Sequence, residues 1–498
     1  RGAISAVVTI HTTISLSLAS SLRLRTEQAL PSQRAMGSMA APPCHFVAVP
    51  FPGRGHINSM LNLCRLLAAR DGVTATVVVT EEWLGLLGGD PALSPGVSLE
   101  AIPNVIPSEH GRAADWAGFV EAVYTKMEAP FERLLDRLGV GGVPPAAIIT
   151  DTFVPGAVRV GNRRGIPVCV LSALNATMFS VHYHFDRLPT AAGGSAEIAD
   201  VADPSLIENY IRGLKSIRLA DLEPTHADKI RLEKILEAYP YVRKAQCVIF
   251  TTFYELESNA IDSLKRELPC PVFAVGPCIP FMSLQEKQDA NPEEEEQQQG
   301  GYMAWLDAQP ARSVLYVSLG SFLSVSSAQL DEIAMGLARS KVRFMWVLRD
   351  DACSRGVQDM IRRGSGGGVV VPWCDQLKVL CHPSIAGFFT HCGLNSTVEA
   401  LYAGVPMLTL PIAFDQPINS RLIVEEWKVG YSLKQRSEDI AETVKRLMNS
   451  DDAEGVRRRA SVMKEAARGA VEEGGSSHRD VTSLIDYISH FKSQIILD

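Results

Sequence analysis

At 498 residues, with 46% hydrophobic and 21% charged positions, the chain has the balance of a globular protein long enough for two domains with separate cores. A formal net charge of -8 excludes general affinity for nucleic acid or an acidic membrane surface, so any bound phosphate has to be held by local geometry. Ten cysteines are scattered without a compact framework, and Cys169 and Cys247 sit inside apolar runs, which points to a reducing, cytoplasmic setting rather than a disulfide scaffold.

Residues 1–40 are Ser/Thr-rich, basic and poor in acids; they read as a non-native or targeting leader, with Met36 or Met39 as the native start. From residue 41 to 280, β-branched runs ("HFVAVPFP", "TATVVVT", "AAIITD", "PVCVLS", "CVIFTTF") alternate with helical periodicity, the pattern of a parallel sheet covered by helices. Between the first two runs, Ile57, Met60, Leu61, Cys64 and Leu67 form one stripe and predict a crossover helix. The acidic tract within 281–300 cannot bury a core and reads as a solvated linker. The rhythm resumes over 301–475 with "SVLYVSLGS", "RFMWVLR", "GVVVPW", "IAGFFT" and "PMLTLP". Residues 476–498 predict a closing helix, opened by Ser477 and Asp480 as a capping box, with Val481, Leu484, Ile485, Ile488 and Phe491 facing the first domain. Two doubly wound α/β domains would thus face each other across a cleft at the carboxyl ends of their strands, where ligands of such sheets bind. No run reaches the apolar length of a membrane span.

The chemistry concentrates between residues 373 and 416, "WCDQLKVLCHPSIAGFFTHCGLNSTVEALYAGVPMLTLPIAFDQ". A strand turns there on glycine into a helix, whose first amides lack intrahelical partners and carry partial positive charge, so an anion fits beside His391, Asn395 and Ser396. Trp373 can offer its ring face to a flat heterocycle, and Gln376 with Glu399 can bind vicinal hydroxyls. Asp415 and Gln416, after the next strand, suit a second set of hydroxyls. Base, ribose, diphosphate and sugar together describe a nucleotide sugar.

Over that stretch the chain resembles the plant secondary-product UDP-dependent glycosyltransferases. Trp373, Gln376, His382, Gly387, Phe388, Thr390, His391, Cys392, Gly393, Asn395, Ser396, Glu399, Gly404, Pro406, Pro411, Asp415 and Gln416 stand where the family's signature box has them. The likeness runs from about His45 to Phe491 and takes in "GRGHINSML", "ITDTF", "FTTFYELE" and "GGSS". It implies the GT-B fold, two Rossmann-like domains. It also implies that Trp373 stacks on uracil, Cys374 meets it through its backbone, and Gln376 and Glu399 hold the ribose. Ser321, His391, Gly393, Asn395 and Ser396 would hold the diphosphate, and Asp415 and Gln416 the donor sugar. Gln416 resembles the glucose users; Leu394 departs from the tryptophan that the family has after His-Cys-Gly.

His56 follows the first strand and its "PGRG" turn, and a neutral imidazole there can take the proton of an acceptor hydroxyl or carboxyl group. Asp151, ending "AAIITD", can hold the other ring nitrogen, and the resemblance gives both residues those roles. The expected reaction is an inverting transfer, glucose first among the sugars, to a small hydrophobic acceptor such as a plant metabolite or hormone. No Asp-x-Asp occurs, so neither a metal nor another cofactor is expected; Cys374, Cys381, His382, His391 and Cys392 do not have zinc-site spacing. A monomer is expected. The rival readings are an NAD(P)-dependent oxidoreductase built on "GRGHIN" and Glu81, weakened by Asn58 at the third fingerprint glycine; a UDP-sugar epimerase or hydrolase; and a non-catalytic UDP-sugar-binding protein.

Overall fold

Short β-branched runs separated by amphipathic helices leave a chain little choice but to stack the strands in parallel and pay the helices out on both faces. A computed structural model describes residues 44–497 except 89–94, 113, 140–142, 190–204, 227, 287–300, 321–324, 349–356 and 358–366. The leader expected over 1–40, the linker from residue 287 onward and Ser321 lie outside the described residues.

The first sheet contains β1 (Cys44–Val49), β2 (Val73–Thr80), β3 (Val97–Ile102), β4 (Ala147–Asp151), β5 (Val168–Ser172), β6 (Cys247–Phe250) and β7 (Val272–Ala274). Their order is β3-β2-β1-β4-β5-β6-β7. The second contains β8 (Val314–Ser318), β9 (Arg343–Val347), β10 (Val369–Val371), β11 (Ile385–Thr390), β12 (Met407–Thr409) and β13 (Gly430–Ser432), in the order β10-β9-β8-β11-β12-β13. The pairings within both sheets are parallel. Each order reverses once, between β1 and β4 and between β8 and β11, and a doubly wound sheet opens its binding crevice at that reversal. The GT-B architecture read from the sequence follows from these two sheets.

Helix Arg54–Ala68 returns from β1 to β2 with Ile57, Met60, Leu61, Cys64 and Leu67 buried, the stripe read from the sequence. The closing helix Ser476–Leu497 buries Val481, Leu484 and Ile488 in the same cluster, on the first sheet. Each such side chain is worth about 1.5–3 kcal/mol when fully withdrawn from water. Ser477 and Asp480 do not form a capping box. The Ser477 hydroxyl donates to the Gly276 carbonyl, and Asp480 accepts from the Ala274 amide at 2.8 Å, so both tie the helix to the end of β7. Proximity to unpaired backbone at a strand end outcompeted the helix's own first-turn amides.

Candidate active site at the two sheet reversals

At the first reversal, the imidazole of His56 donates through Nδ1 to Oδ2 of Asp151 at 2.7 Å. The Asp151 side chain is fully enclosed, and its other oxygen accepts from the Phe153 amide at 2.9 Å, so the carboxylate cannot swing away. His56 lies against Phe51 and Phe153, with ring centroids 5.0 and 6.1 Å away. With Nδ1 held, Nε2 is left as the acceptor nitrogen, and 24% of the side chain remains open to the cleft. Gly53 ends the turn after β1, Gly55 and His56 open helix Arg54–Ala68, and Asp151 comes from the end of β4, which is why residues 95 apart meet.

A cavity of about 200 Å³ opens in front of this pair. Its walls are mainly apolar and aromatic, with Phe51, Trp116, Tyr124, Phe153, Leu174, Met178 and Ile235 from the first domain, and Phe414 and Asp415 from the second. His182 lines it, whereas His184 turns to Glu267 at 2.9 Å. Arg112 and Arg231 also line it; sequence reasoning missed both, because neither belongs to a motif and each arrives by tertiary approach.

At the second reversal, β11 leads through His391, Cys392 and Gly393 into helix Leu394–Ala403. No side chain caps that helix, so its first amides have neither an intrahelical nor a capping partner, and Gly404 (φ 76°) stops it in the left-handed conformation. A Cβ on Gly320 or Gly393 would come within 2.7 or 2.6 Å of His391 Nε2, so both glycines are required by the ring between them. Burial pushes the His391 pKa down to about 4, with the Ser318 backbone acting weakly against it. A neutral imidazole therefore stands where the sequence predicted a diphosphate.

Gln376 and Glu399 meet as read: the Gln376 amide donates to Glu399 at 2.6 Å and to Ser396 Oγ at 2.9 Å. Burial raises the Glu399 carboxyl to about 7, against the pull of that hydrogen bond. Trp373 is 56% exposed, an unusual state for an indole and one that leaves its face free for stacking. The Cys374 thiol lies 3.3 Å from the Tyr316 hydroxyl. Asn395 is engaged across the cleft: its amide donates to the Gly55 carbonyl at 2.9 Å, and its oxygen accepts from Ser59 at 2.9 Å. Gln416 turns its oxygen to the amides of Ile412 and Ala413, at 2.8 and 3.0 Å. Asp415 borders the cavity beside His56; burial raises its pKa, while Asn419 and the His56 charge lower it.

Two non-glycine residues in left-handed backbone flank this site, Cys392 (φ 69°) and Phe414 (φ 59°). Such strain costs on the order of 1–3 kcal/mol each and persists only where neighbours enforce it. Asn419 provides that enforcement, donating to the Cys392 carbonyl at 2.8 Å and to Asp415 at 2.7 Å while accepting from Asn175 of the first domain. Neither Asn419 nor Asn175 stood out in the sequence. Glu81, the ribose acid of the oxidoreductase reading, instead accepts from the Asn104 amide at the start of helix Glu81–Leu87. Among the described residues, no group of three or more His, Cys, Asp or Glu side chains is arranged to hold a metal ion.

Residues 272–465 match the family model described as "UDP-glucoronosyl and UDP-glucosyl transferase". The chain is 43% identical to UDP-glycosyltransferase 87A2 of Arabidopsis thaliana over 462 residues, covering 90% of this chain and 97% of that one. Among solved structures it is similar to Medicago truncatula UGT71G1 complexed with UDP-glucose (TM-score 0.75, 27% identity, 90% and 98% of the two chains). It is also similar to Phytolacca americana UGT2 complexed with UDP-2fluoro-glucose and pterostilbene (TM-score 0.74, 26% identity, 90% and 100%).

Proposed function

The chain belongs to the plant UDP-dependent glycosyltransferases, and from that premise we propose how its residues divide the work and what they transfer. It is a UDP-glycosyltransferase with the GT-B fold. The sugar is glucose, and the acceptor is a hydroxyl or carboxyl group of a small hydrophobic molecule in the cavity before His56. The observation that carries the assignment is the His56–Asp151 pair at 2.7 Å, opening onto the same cavity as Asp415 of the other domain.

His56 Nε2 takes the acceptor proton as the acceptor oxygen attacks the anomeric carbon, and Asp151 holds the ring and offsets the imidazolium charge. The attack comes from the side opposite UDP, so configuration inverts. UDP leaves against the first amides of helix Leu394–Ala403 and His391, which enters as a neutral donor because burial keeps its pKa near 4. Gln376 and Glu399, already joined, receive the ribose; Trp373 stacks on the uracil, with Cys374 meeting it through its backbone. Gly393, Asn395, Ser396 and Ser321 complete the diphosphate site, and Asp415 and Gln416 orient the sugar. Asn395 would have to exchange its Gly55 contact for the ligand. No divalent ion enters this scheme, because the leaving charge is met by the helix amides and His391.

Among the described residues no helix is long and apolar enough to cross a membrane. The described cysteines are free thiols, most of them buried, which supports a reading as a cytoplasmic protein; a monomer is proposed with it. The test is release of UDP from UDP-glucose over a panel of phenolic, terpenoid and hormone-like acceptors, with chelator present, beside His56→Ala. Acceptor-dependent release that drops by about 10²- to 10⁴-fold in the variant is expected. Unimpaired turnover by His56→Ala would remove the base, and loss of activity in chelator would remove the metal-free scheme.

A further inference from the structure

The acceptor cavity contains two arginines whose situations differ. Arg112 has its charge met: its guanidinium lies 2.9 Å from Glu109 and donates to the Pro52 carbonyl at 2.9 Å. Arg231, on helix Lys229–Leu236, lies beside a pair of aromatic rings whose centroids are 6.0 Å apart, with its guanidinium carbon 5.7 Å from the Trp116 centroid and 5.0 Å from that of Phe414. Trp116 belongs to the first domain and Phe414 to the second, so the cation is fixed where the halves meet over the cavity. Its Nε is enclosed and has no hydrogen-bond partner among the described residues. Asp228 forms a long ion pair with it, 3.7 Å from the terminal nitrogen and beyond hydrogen-bond reach, while its other oxygen caps the helix by accepting from the Arg231 amide at 3.0 Å.

We propose that Arg231 is a specificity-determining residue, and that the acceptor is an aryl alcohol carrying a carboxylate separate from the hydroxyl it offers to His56. The inference rests on the transferase reading above and deepens it. Three features of the site lead to it. Aromatic walls from Phe51, Trp116, Tyr124 and Phe153 favour a flat ring. Among the lining residues, Asp415 is the one carboxylate against Arg112 and Arg231, and it sits beside His56 on the donor side. A planar guanidinium held against the ring pair, on a side chain that keeps 30% of its surface open, binds a carboxylate through directed, charge-assisted hydrogen bonds that a neutral ester cannot match. Holding the cation against these two rings in advance also lowers the entropic cost of fixing a long side chain at the moment of binding.

The probes are 4-hydroxycinnamic acid and its methyl ester, supplied with UDP-glucose to wild type, Arg231→Gln and Arg231→Lys. Alkali-stable product identifies transfer to the phenol rather than to the carboxylate. Wild type is expected to favour the acid over the ester by about tenfold or more in kcat/KM for the phenolic glucoside, the scale of one charge-assisted pair. In Arg231→Gln that ratio should fall to near one, whatever loss the two substrates share, and Arg231→Lys should restore part of it. UDP affinity of each variant checks that the fold and donor site persist. Equal use of acid and ester by wild type, or a ratio unmoved in Arg231→Gln, overturns the proposal while leaving the transferase reading intact. Failure of every acceptor in the panel, neutral phenols included, would overturn the transferase reading and this one with it.

Discussion

A methyl group on Gly393 would stand 2.6 Å from the Nε2 of His391, closer than a Cβ ever approaches another heavy atom. Gly393 also precedes the uncapped helix, so the ring and the helix amides are aimed by one backbone junction. Gly393→Ala must displace His391 or tilt the helix start. Donor binding is expected to weaken about 10- to 100-fold, the usual result of misplacing a positioning group by around an ångström. Calorimetric titration with UDP checks it, and affinity within twofold of wild type would show that the junction tolerates the shift.

In the proposed scheme Asp151 acts only through His56, which separates its effect from that of the base itself. Asp151→Asn keeps the shape but can present an N–H to Nδ1, favouring the tautomer whose Nε2 carries the proton and cannot accept one. A fall in kcat of about 10²- to 10⁴-fold with nearly unchanged KM for UDP-glucose is expected. Equal losses in both parameters would instead mean that the carboxylate supports the fold of the cleft.

The places of these two residues were legible in the sequence because a doubly wound sheet opens its crevice at the reversal, and there Asp151 ends one strand and His56 follows another. The donor box was legible because its glycines, helix start and polar residues are contiguous. Arg231, Asn175 and Asn419 were not: their roles depend on the approach of segments more than 170 residues apart, as in the Asn175–Asn419 contact with a separation of 244. Asn395 shows a further limit. Its place at a helix start implied a ligand, but its amide donates to the Gly55 carbonyl and its oxygen accepts from Ser59, contacts between segments more than 330 residues apart that local pattern does not show.

With the ribose role proposed for it, Glu399 ties donor recognition to a pH-dependent cost. Burial raises its carboxyl from the ordinary value of 4.5 to about 7, the Gln376 hydrogen bond pulls it down, and the nearby Asp375 charge adds to the rise. A folded pKa above the unfolded one means that the folded state takes up the proton more readily. The resulting stabilisation is complete below about pH 4.5, fades as pH rises toward 7, and is gone above it. Glu399→Gln imitates the protonated form, so it should be more stable than wild type at pH 8 by about 1–3 kcal/mol and equal to it near pH 4.5. The same change removes an anionic acceptor for the ribose hydroxyls, so UDP affinity should fall as stability rises. Urea unfolding at the two pH values, with UDP titration at pH 8, tests both signs; a variant less stable at pH 8 would contradict the first.

Asn419 serves two masters that a single substitution would strand together. Its amide holds the Cys392 carbonyl at 2.8 Å and Asp415 at 2.7 Å, and its oxygen takes the amide of Asn175, which also caps helix Ala176–Tyr183 by accepting from Met178 at 2.6 Å. Asn419→Leu keeps the branched shape with somewhat greater bulk and deletes the polar partner, leaving a strained backbone carbonyl and a carboxylate buried without it. Each such orphaned group costs about 1–3 kcal/mol, so a loss of roughly 2–4 kcal/mol is expected after partial relaxation. Asp415 would lose the hydrogen bond that lowers its pKa, become protonated more readily, and hold the donor sugar less well. Asn175→Ala removes the cross-domain contact but leaves both bonds to Cys392 and Asp415, so it should lower stability by about 2–4 kcal/mol through the lost cap and the orphaned Asn419 oxygen while largely sparing the KM for UDP-glucose. If Asn175→Ala raised that KM as much as Asn419→Leu, the contact between domains, rather than the aim of Asp415, would be the property that the donor site depends on.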